Sequence, residues 1–168
     1  AQDTVKVKVA LTADQEAENA YNIGLEFVAK KEYIMAIEQF SKALSFKPNF
    51  DKAYTNRAFS RYELKTFDAA IEDYTNALVI NPLNTDAMFG KAQSFYAVNK
   101  KDSCITYLNR TTFVDEKNSK AFYLSGQINF ELGNYKSAVS DYDKAIAAKP
   151  DFAYAYNDRA STKKMLGD

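Results

Sequence analysis

One regularity limits this chain more than its composition does: it repeats itself every 34 residues. Pro48 and Pro82 are 34 apart, and Pro150 lies twice that distance beyond Pro82, with Glu116 at the intermediate position. Ala36, Ala70, Cys104 and Ala138 form a column of small residues in the same register. Phe40, Tyr74, Leu108 and Tyr142 form a column of large ones. Ala43, Ala77, Thr111 and Ala145 are a second small column, and Gly24, Ala58, Ala92, Gly126 and Ala160 a third. A fixed period of this length is the signature of a stacked architecture, in which one unit cannot bury its apolar face alone.

Each period reads as two helices. Over 123–132 the apolar residues recur at spacings of three and four, as one face of a helix requires. Gly133-Asn134 then breaks the pattern, and glycine suits the left-handed residue after a helix end. A second helical stretch follows over 135–148, stopped by Pro150, with Asp151 placed to cap the next helix. Lys65-Thr66 and Lys30-Lys31-Glu32 take the place of the turn in earlier periods. Small residues at fixed positions let helix backbones approach closely, and large ones fill the gaps between pairs.

A 34-residue helix–turn–helix with this pattern resembles the tetratricopeptide repeat family, whose pattern runs W-x2-L-G-x2-Y, then A-x3-F, then P. Unit 17–50 matches at Ile23, Gly24, Phe27, Ala36, Phe40 and Pro48, with Ala20 in place of the Trp. Unit 51–84 has Tyr54, Ala58, Ala70, Tyr74 and Pro82. Unit 85–118 has Met88, Ala92, Phe95, Cys104 and Leu108, but no proline, and Lys101 where other units have Tyr33, Phe67 and Tyr135. Its second helix is expected to pack less firmly. Unit 119–152 has Phe122, Gly126, Ala138, Tyr142 and Pro150. A fifth unit, 153–168, holds one helix with Tyr156 and Ala160. The resemblance implies an all-α, right-handed solenoid of antiparallel helix pairs over 17–168, after an N-terminal extension 1–16. Within that extension, 5–9 alternates Val and Lys and can pair as a strand, or simply lead into the first helix.

Composition removes whole classes of chemistry. Basic and acidic side chains number 22 each, so the net charge is zero. A general nucleic-acid or anionic-membrane binder needs clustered Lys and Arg. No apolar run is long enough to cross a bilayer. There is no histidine, hence no His-dependent triad and no imidazole metal ligand. Cys104 is the only cysteine and falls in a small-residue column, which reads as a buried packing residue rather than a nucleophile. Gly90-Lys91 lacks the spaced glycine of a phosphate loop. Asp141 and Asp143 are two apart, point to different sides of a helix, and read as a solvated face. Asn109-Arg110-Thr111 matches a glycosylation acceptor but lies mid-helix. No catalytic residue, cofactor or metal is expected.

What remains is a surface. The resemblance implies a concave face lined by the first helix of each pair. One step beyond the packing columns, about 100° round the helix, lies a stripe at spacing i, i+4, i+7. Through the units it reads Tyr21, Thr55, Phe89, Tyr123 and Asn157; Leu25, Phe59, Gln93, Gln127 and Ser161; and Val28, Tyr62, Tyr96, Phe130 and Lys164. The flanking rim is Glu18, Lys52, Asp86, Lys120 and Tyr154. The expected groove residues are Tyr21, Leu25, Phe59, Tyr62, Phe89, Tyr96, Tyr123, Gln127 and Phe130, with Glu18, Lys52, Asp86 and Lys120 setting charge. The competing reading packs these rings between neighbouring first helices.

The carboxylate clamp of some family members is not expected: of its five positions only Asn56 matches, against Tyr21, Leu25, Asp86 and Gly90. The expected function is a non-enzymatic scaffold holding a peptide segment of a partner protein, with loss of capture and unchanged melting when Phe89 and Tyr123 become Ala. Alternatives are the regulatory part of a longer enzyme or sensor, or self-association through the C-terminal helix. The Ala1-Gln2 start fits signal-peptide removal and an exported or periplasmic bacterial protein, with a cytoplasmic one as the alternative.

Overall fold

In the computed structural model, which describes residues 10–167, nine helices follow one another without a strand among the described residues. They are α1 (Ala13–Ala29), α2 (Tyr33–Phe46), α3 (Asp51–Glu63), α4 (Phe67–Ile80), α5 (Thr85–Ala97), α6 (Lys101–Val114), α7 (Ser119–Glu131), α8 (Tyr135–Ala148) and α9 (Ala153–Leu166). The alternating stretch 5–9 lies outside the described residues. Each odd helix packs on the even helix after it, and each even helix on the next odd one. First helices also touch one another, α1 with α3, α3 with α5 and α7 with α9. This is the all-α solenoid of helix pairs that the 34-residue register demands.

The chain turns at one register position. Lys31, Lys65, Asn99, Gly133 and Gly167 are 34 apart in series and all have positive φ, of 61°, 60°, 58°, 74° and 85°. A left-handed residue costs a side chain about 1–2 kcal/mol that glycine does not pay. Against that stands glycine's greater freedom in the unfolded chain, about 0.5–1 kcal/mol. Lys65→Gly is therefore expected to stabilise by roughly 0.5–1 kcal/mol, and Asn99→Gly by less, since asparagine tolerates this conformation. Thermal melting of the two variants against the parent checks this; a lower Tm for Lys65→Gly sinks it.

A second position, before each first helix from α3 onward, takes one of two solutions. Asn84 and Asn118 cap α5 and α7 by accepting from the backbone N–H of Ala87 (2.9 Å) and Ala121 (3.0 Å). Phe50 and Phe152 hold the same register before α3 and α9 and make no cap. Instead their rings stack on Tyr21 (4.9 Å between centroids) and Tyr123 (4.8 Å). Asp151 accordingly does not cap α9, whose N-cap residue is Phe152. At the other end of the chain Thr12 and Gln15 form a reciprocal capping box that starts α1 at Ala13, inside the stretch assigned to the extension.

The small columns are the core. Ala36, Ala70, Cys104 and Ala138 are wholly buried, as are Ala43, Ala77, Thr111 and Ala145. Burial pushes the Cys104 thiol up to about 12, so it stays protonated and unreactive at neutral pH. Ala160 is exposed and Tyr156 is 41% exposed, because among the described residues no helix follows α9 to cover that face. The smallest seam lies at the end of the third unit. Among consecutive helices, α6 and α7 make the smallest contact, and Phe113 near the end of α6 is 86% exposed.

Asp141 corrects the reading of a solvated face. Its carboxylate accepts from Ser125 (2.7 Å) and Asn129 (2.8 Å), tying α8 to α7, while Asp143 pairs with Arg159 at the surface. The same register carries Arg57 with Asp73 and Lys91 with Tyr107, so each of these units has one polar tie between its helices.

Candidate functional site

The first helices share one broad hollow of about 660 Å³. It runs from Val28 on α1 to Phe152 before α9, and its walls include Phe59, Phe89, Tyr123, Gln93 and Gln127. These residues recur because i, i+4 positions on α3, α5 and α7 face the same way, and each helix is presented alike by its turn. Asp86 and Lys120 stand at the edge, in the first turns of α5 and α7. Neither makes an ion pair among the described residues.

Of the thirteen residues expected from the sequence, the hollow gathers Phe59, Phe89, Tyr123, Gln127, Asp86 and Lys120. Tyr21 instead wedges between repeats: its ring packs on Phe40 and Phe50, and its hydroxyl accepts from Asn56 Nδ2 at 3.1 Å. Tyr62 packs edge-on against Phe67 at 5.4 Å. Tyr96 is half-buried and donates to Glu131, which also takes Lys101 Nζ at 2.7 Å. That bond, with burial, pushes the Tyr96 hydroxyl up to about 12, and Lys101 holds Glu131 below the usual carboxylate range. Phe130 stacks on Tyr135 and borders a smaller cavity of about 290 Å³ with Gln127, Tyr142 and Asp158. Glu18 is engaged by Lys47 at 3.8 Å, on a separate polar recess near the start of α1. Leu25 and Lys52 are exposed but do not line the hollow. Tyr62 and Phe130 thus pack within their own helix pair and Tyr21 and Tyr96 bond across to the next unit, whereas Phe59 and Phe89 reach the open side.

Tyr123 does both. It borders the hollow, yet its ring packs on Tyr142 and Phe152 and its hydroxyl donates to Asp158 at 2.7 Å. Burial, then the Asp158 bond, raises its hydroxyl well above the ordinary tyrosine value. Tyr123→Ala would therefore open the joint between the fourth unit and α9, and unchanged melting is not expected of it.

Five wall residues were not on the expected face: Asn56, Tyr74, Gly90, Leu124 and Phe152. Tyr74 belongs to α4, in the packing column, but its ring passes beneath Gly90 of α5 to the floor of the hollow. A Cβ on Gly90 would lie 2.3 Å from the Tyr74 Cζ. The signal was present in the register, where Gly90 alone lacks a side chain among Asn22, Asn56, Leu124 and Asp158. The floor adds side-chain amides to the rings. Asn56 is held by Lys52 O (2.9 Å) and Tyr21, and Gln127 donates to the Tyr123 hydroxyl at 3.2 Å. Among the described residues no cluster of acidic or sulfur ligands could hold a metal ion. The hollow offers rings, amides and two charges that make no ion pair among the described residues.

Comparison with known proteins agrees with the architecture. A tetratricopeptide repeat model matches residues 17–50, and a TPR repeat model matches 126–167. The chain is 41% identical over 49 residues to tetratricopeptide repeat protein 36 of Danio rerio, a stretch covering 29% of this chain and 26% of that protein. Among solved structures it is similar to MamA, with TM-score 0.80 at 21% identity over 90% of this chain and 83% of that one. It is also similar to YrrB, described as a TPR protein with an unusual peptide-binding site, with TM-score 0.73 at 18% identity over 90% and 78% of the two chains.

Proposed function

We propose that this chain, a tetratricopeptide-repeat protein, is a scaffold for protein–protein interaction that works without catalysis, holding a peptide segment of a partner in the hollow of its first helices. The observation that carries this is the hollow itself: about 660 Å³, with Phe59 and Phe89 on its walls and unpaired Asp86 and Lys120 at its edge. Exposed rings in a recess are costly in water and mark interaction surfaces. Phe59 remains 37% exposed beside Tyr33, and Phe89 is half-buried. Aromatic anchors centred in a pocket carry most of the energy of such contacts. The peptide-binding site in the description of YrrB supports the reading by analogy of fold.

Two variants test it. Phe89→Ala removes a ring, and Gln93→Trp fills the hollow without deleting one, since the Gln93 amide makes no hydrogen bond among the described residues. Affinity for a partner captured from the native source and then purified should fall about 10–30-fold with Phe89→Ala and at least as far with Gln93→Trp. Helicity and melting of Gln93→Trp should match the parent. Retained binding by the well-folded Gln93→Trp variant would refute the hollow as the site.

A further inference from the structure

A second recess, of about 490 Å³, opens where α6, α7 and α8 meet and shares no residue with the hollow. It lies at the seam of α6 and α7, the smallest between consecutive helices. Asn109, Ser125, Asn129 and Asp141 border it. Two periods earlier, these four positions are Ser41, Arg57, Arg61 and Asp73. There the chain fills the space itself. The Arg57 guanidinium bonds both oxygens of Asp73 and reaches Ser41 at 2.9 Å, and Arg61 adds a bond of 2.9 Å to Asp73. The third unit also supplies its own cation: the Lys91 ammonium donates to the Tyr107 hydroxyl, with the Phe95 ring beside it.

The fourth unit keeps the acid and lacks the cation. Where the arginine positions hold Ile23 with Phe27, or Lys91 with Phe95, the acid position holds Gln39 or Tyr107. Only Asp141 stands without an arginine, with Ser125 and Asn129 in the arginines' places. Both donate to one oxygen, Oδ2, at 2.7 and 2.8 Å. The other oxygen, Oδ1, accepts no hydrogen bond among the described residues. Lys144 Nζ stands 3.7 Å from it, beyond hydrogen-bond distance and on an exposed side chain. Asp141 itself is mostly buried. Two short side chains thus stand where the second unit has two long ones, around the same carboxylate, and the recess is the room they leave.

We propose that this recess binds a guanidinium group from outside the chain, the side chain of an arginine. One guanidinium nitrogen donates to Asp141 Oδ1 and another to the side-chain oxygen of Asn109, as Arg57 divides its donors between Asp73 and Ser41. Lys136 and Lys144 also border the recess and repel any cation that enters. A point charge such as an ammonium has little to set against that repulsion. A planar guanidinium carries five N–H donors on three nitrogens and reaches both acceptors at once. The group recognised is the same in an arginine residue of a partner chain and in free arginine. The site is separate from the hollow and does not depend on what the hollow holds.

The test is titration of the isotope-labelled full chain with acetyl-arginine amide, following the side-chain amide signals of Asn109 and Asn129 by NMR. Saturable shifts of both are expected. Asp141→Asn should weaken binding about tenfold or more, since it removes the charge and keeps the shape. Ser125→Arg should supply the guanidinium from within, as Arg57 does, so that binding is lost while the Tm is no lower than the parent's. Lys144→Met removes a competing cation and should tighten binding about two- to fivefold; weaker binding would show that Asp141 is not the attracting group. Acetyl-lysine amide should bind about tenfold more weakly than the arginine compound. Free arginine, titrated in parallel, identifies the source: tighter binding than the blocked compound means the free amino acid, equal or weaker binding an arginine residue of a partner. The proposal is overturned by absence of saturable shifts, by binding that survives Asp141→Asn and Ser125→Arg, or by equal binding of the lysine compound.

Discussion

Replacing Arg57 and Arg61 together with Ala is expected to destabilise the chain by roughly 3–5 kcal/mol, read as an earlier loss of helical circular dichroism in urea. Both guanidinium groups serve one carboxylate. Asp73 sits on α4 with its side chain 1% exposed. Arg57 reaches it from α3 with two bonds, Nε to Oδ2 and Nη2 to Oδ1, both 2.8 Å, and Arg61 adds Nη1 to Oδ2 at 2.9 Å. Arg57 also donates to Ser41 on α2 at 2.9 Å, so the cluster ties the second unit to the first. Removing one arginine leaves the carboxylate a partner; removing both leaves a buried charge with none, which is the costly case. The third unit supplies the control. At the same three positions it carries Lys91, Phe95 and Tyr107, with Lys91 Nζ 2.9 Å from the Tyr107 hydroxyl and 4.5 Å from the centre of its ring. Arg57→Lys, Arg61→Phe and Asp73→Tyr combined should therefore recover most of the lost stability. A double Ala variant as stable as the parent, or a transplant no better than the double variant, would show that the cluster is not what holds this joint.

The two helices per period were legible because turns and small columns are punctuation that no neighbour overrides. Gly133-Asn134, the prolines and the columns at 36, 43 and 24 fixed where helices end and which faces meet. The groove was harder to read. A helix surface position says which way a side chain leaves the backbone, not whether a neighbouring ring arrives to cover it. Tyr21 and Tyr123 share a column and are both caught by phenylalanines, Phe50 and Phe152, that lie outside the helical pattern. Phe89 shares that column too, but the register before α7 holds Asn118, a cap rather than a ring, and Phe89 lines the hollow. Phe59 and Gln127, one turn further along, line the hollow, with Tyr33 at the start of α2 edge-on to Phe59. Asp141 went unread for a similar reason: its partners Ser125 and Asn129 lie on another helix, 16 and 12 residues away.

Gly90→Ala is expected to cost about 1–3 kcal/mol, a large penalty for one methyl group in a helix that should otherwise gain from losing a glycine. The reason is the Tyr74 ring. An added Cβ would stand 2.3 Å from its Cζ and 2.4 Å from its hydroxyl oxygen, well inside contact distance. The ring has little room to yield: it is 3% exposed and packs among Ala58, Ala77 and Met88, with Tyr62 beside it. Elsewhere the same column behaves differently. Phe40 and Tyr142 lie against glycines of their own unit, Gly24 and Gly126, whereas the corresponding residue in the second unit is Ala58. Tyr74 lies instead beneath the next unit's first helix, and Gly90 is the space that admits it. A double-mutant cycle separates this from a general intolerance of α5. Leucine occupies the Tyr74 register in the third unit, at Leu108. Tyr74→Leu alone should destabilise by leaving a cavity, but added to Gly90→Ala it should cost at least 1 kcal/mol less than the sum of the two single changes. Additive costs in urea denaturation would mean that ring and glycine are independent. Coupling would mean that one absent side chain both locks two repeats together and brings a tyrosine to the floor of the hollow.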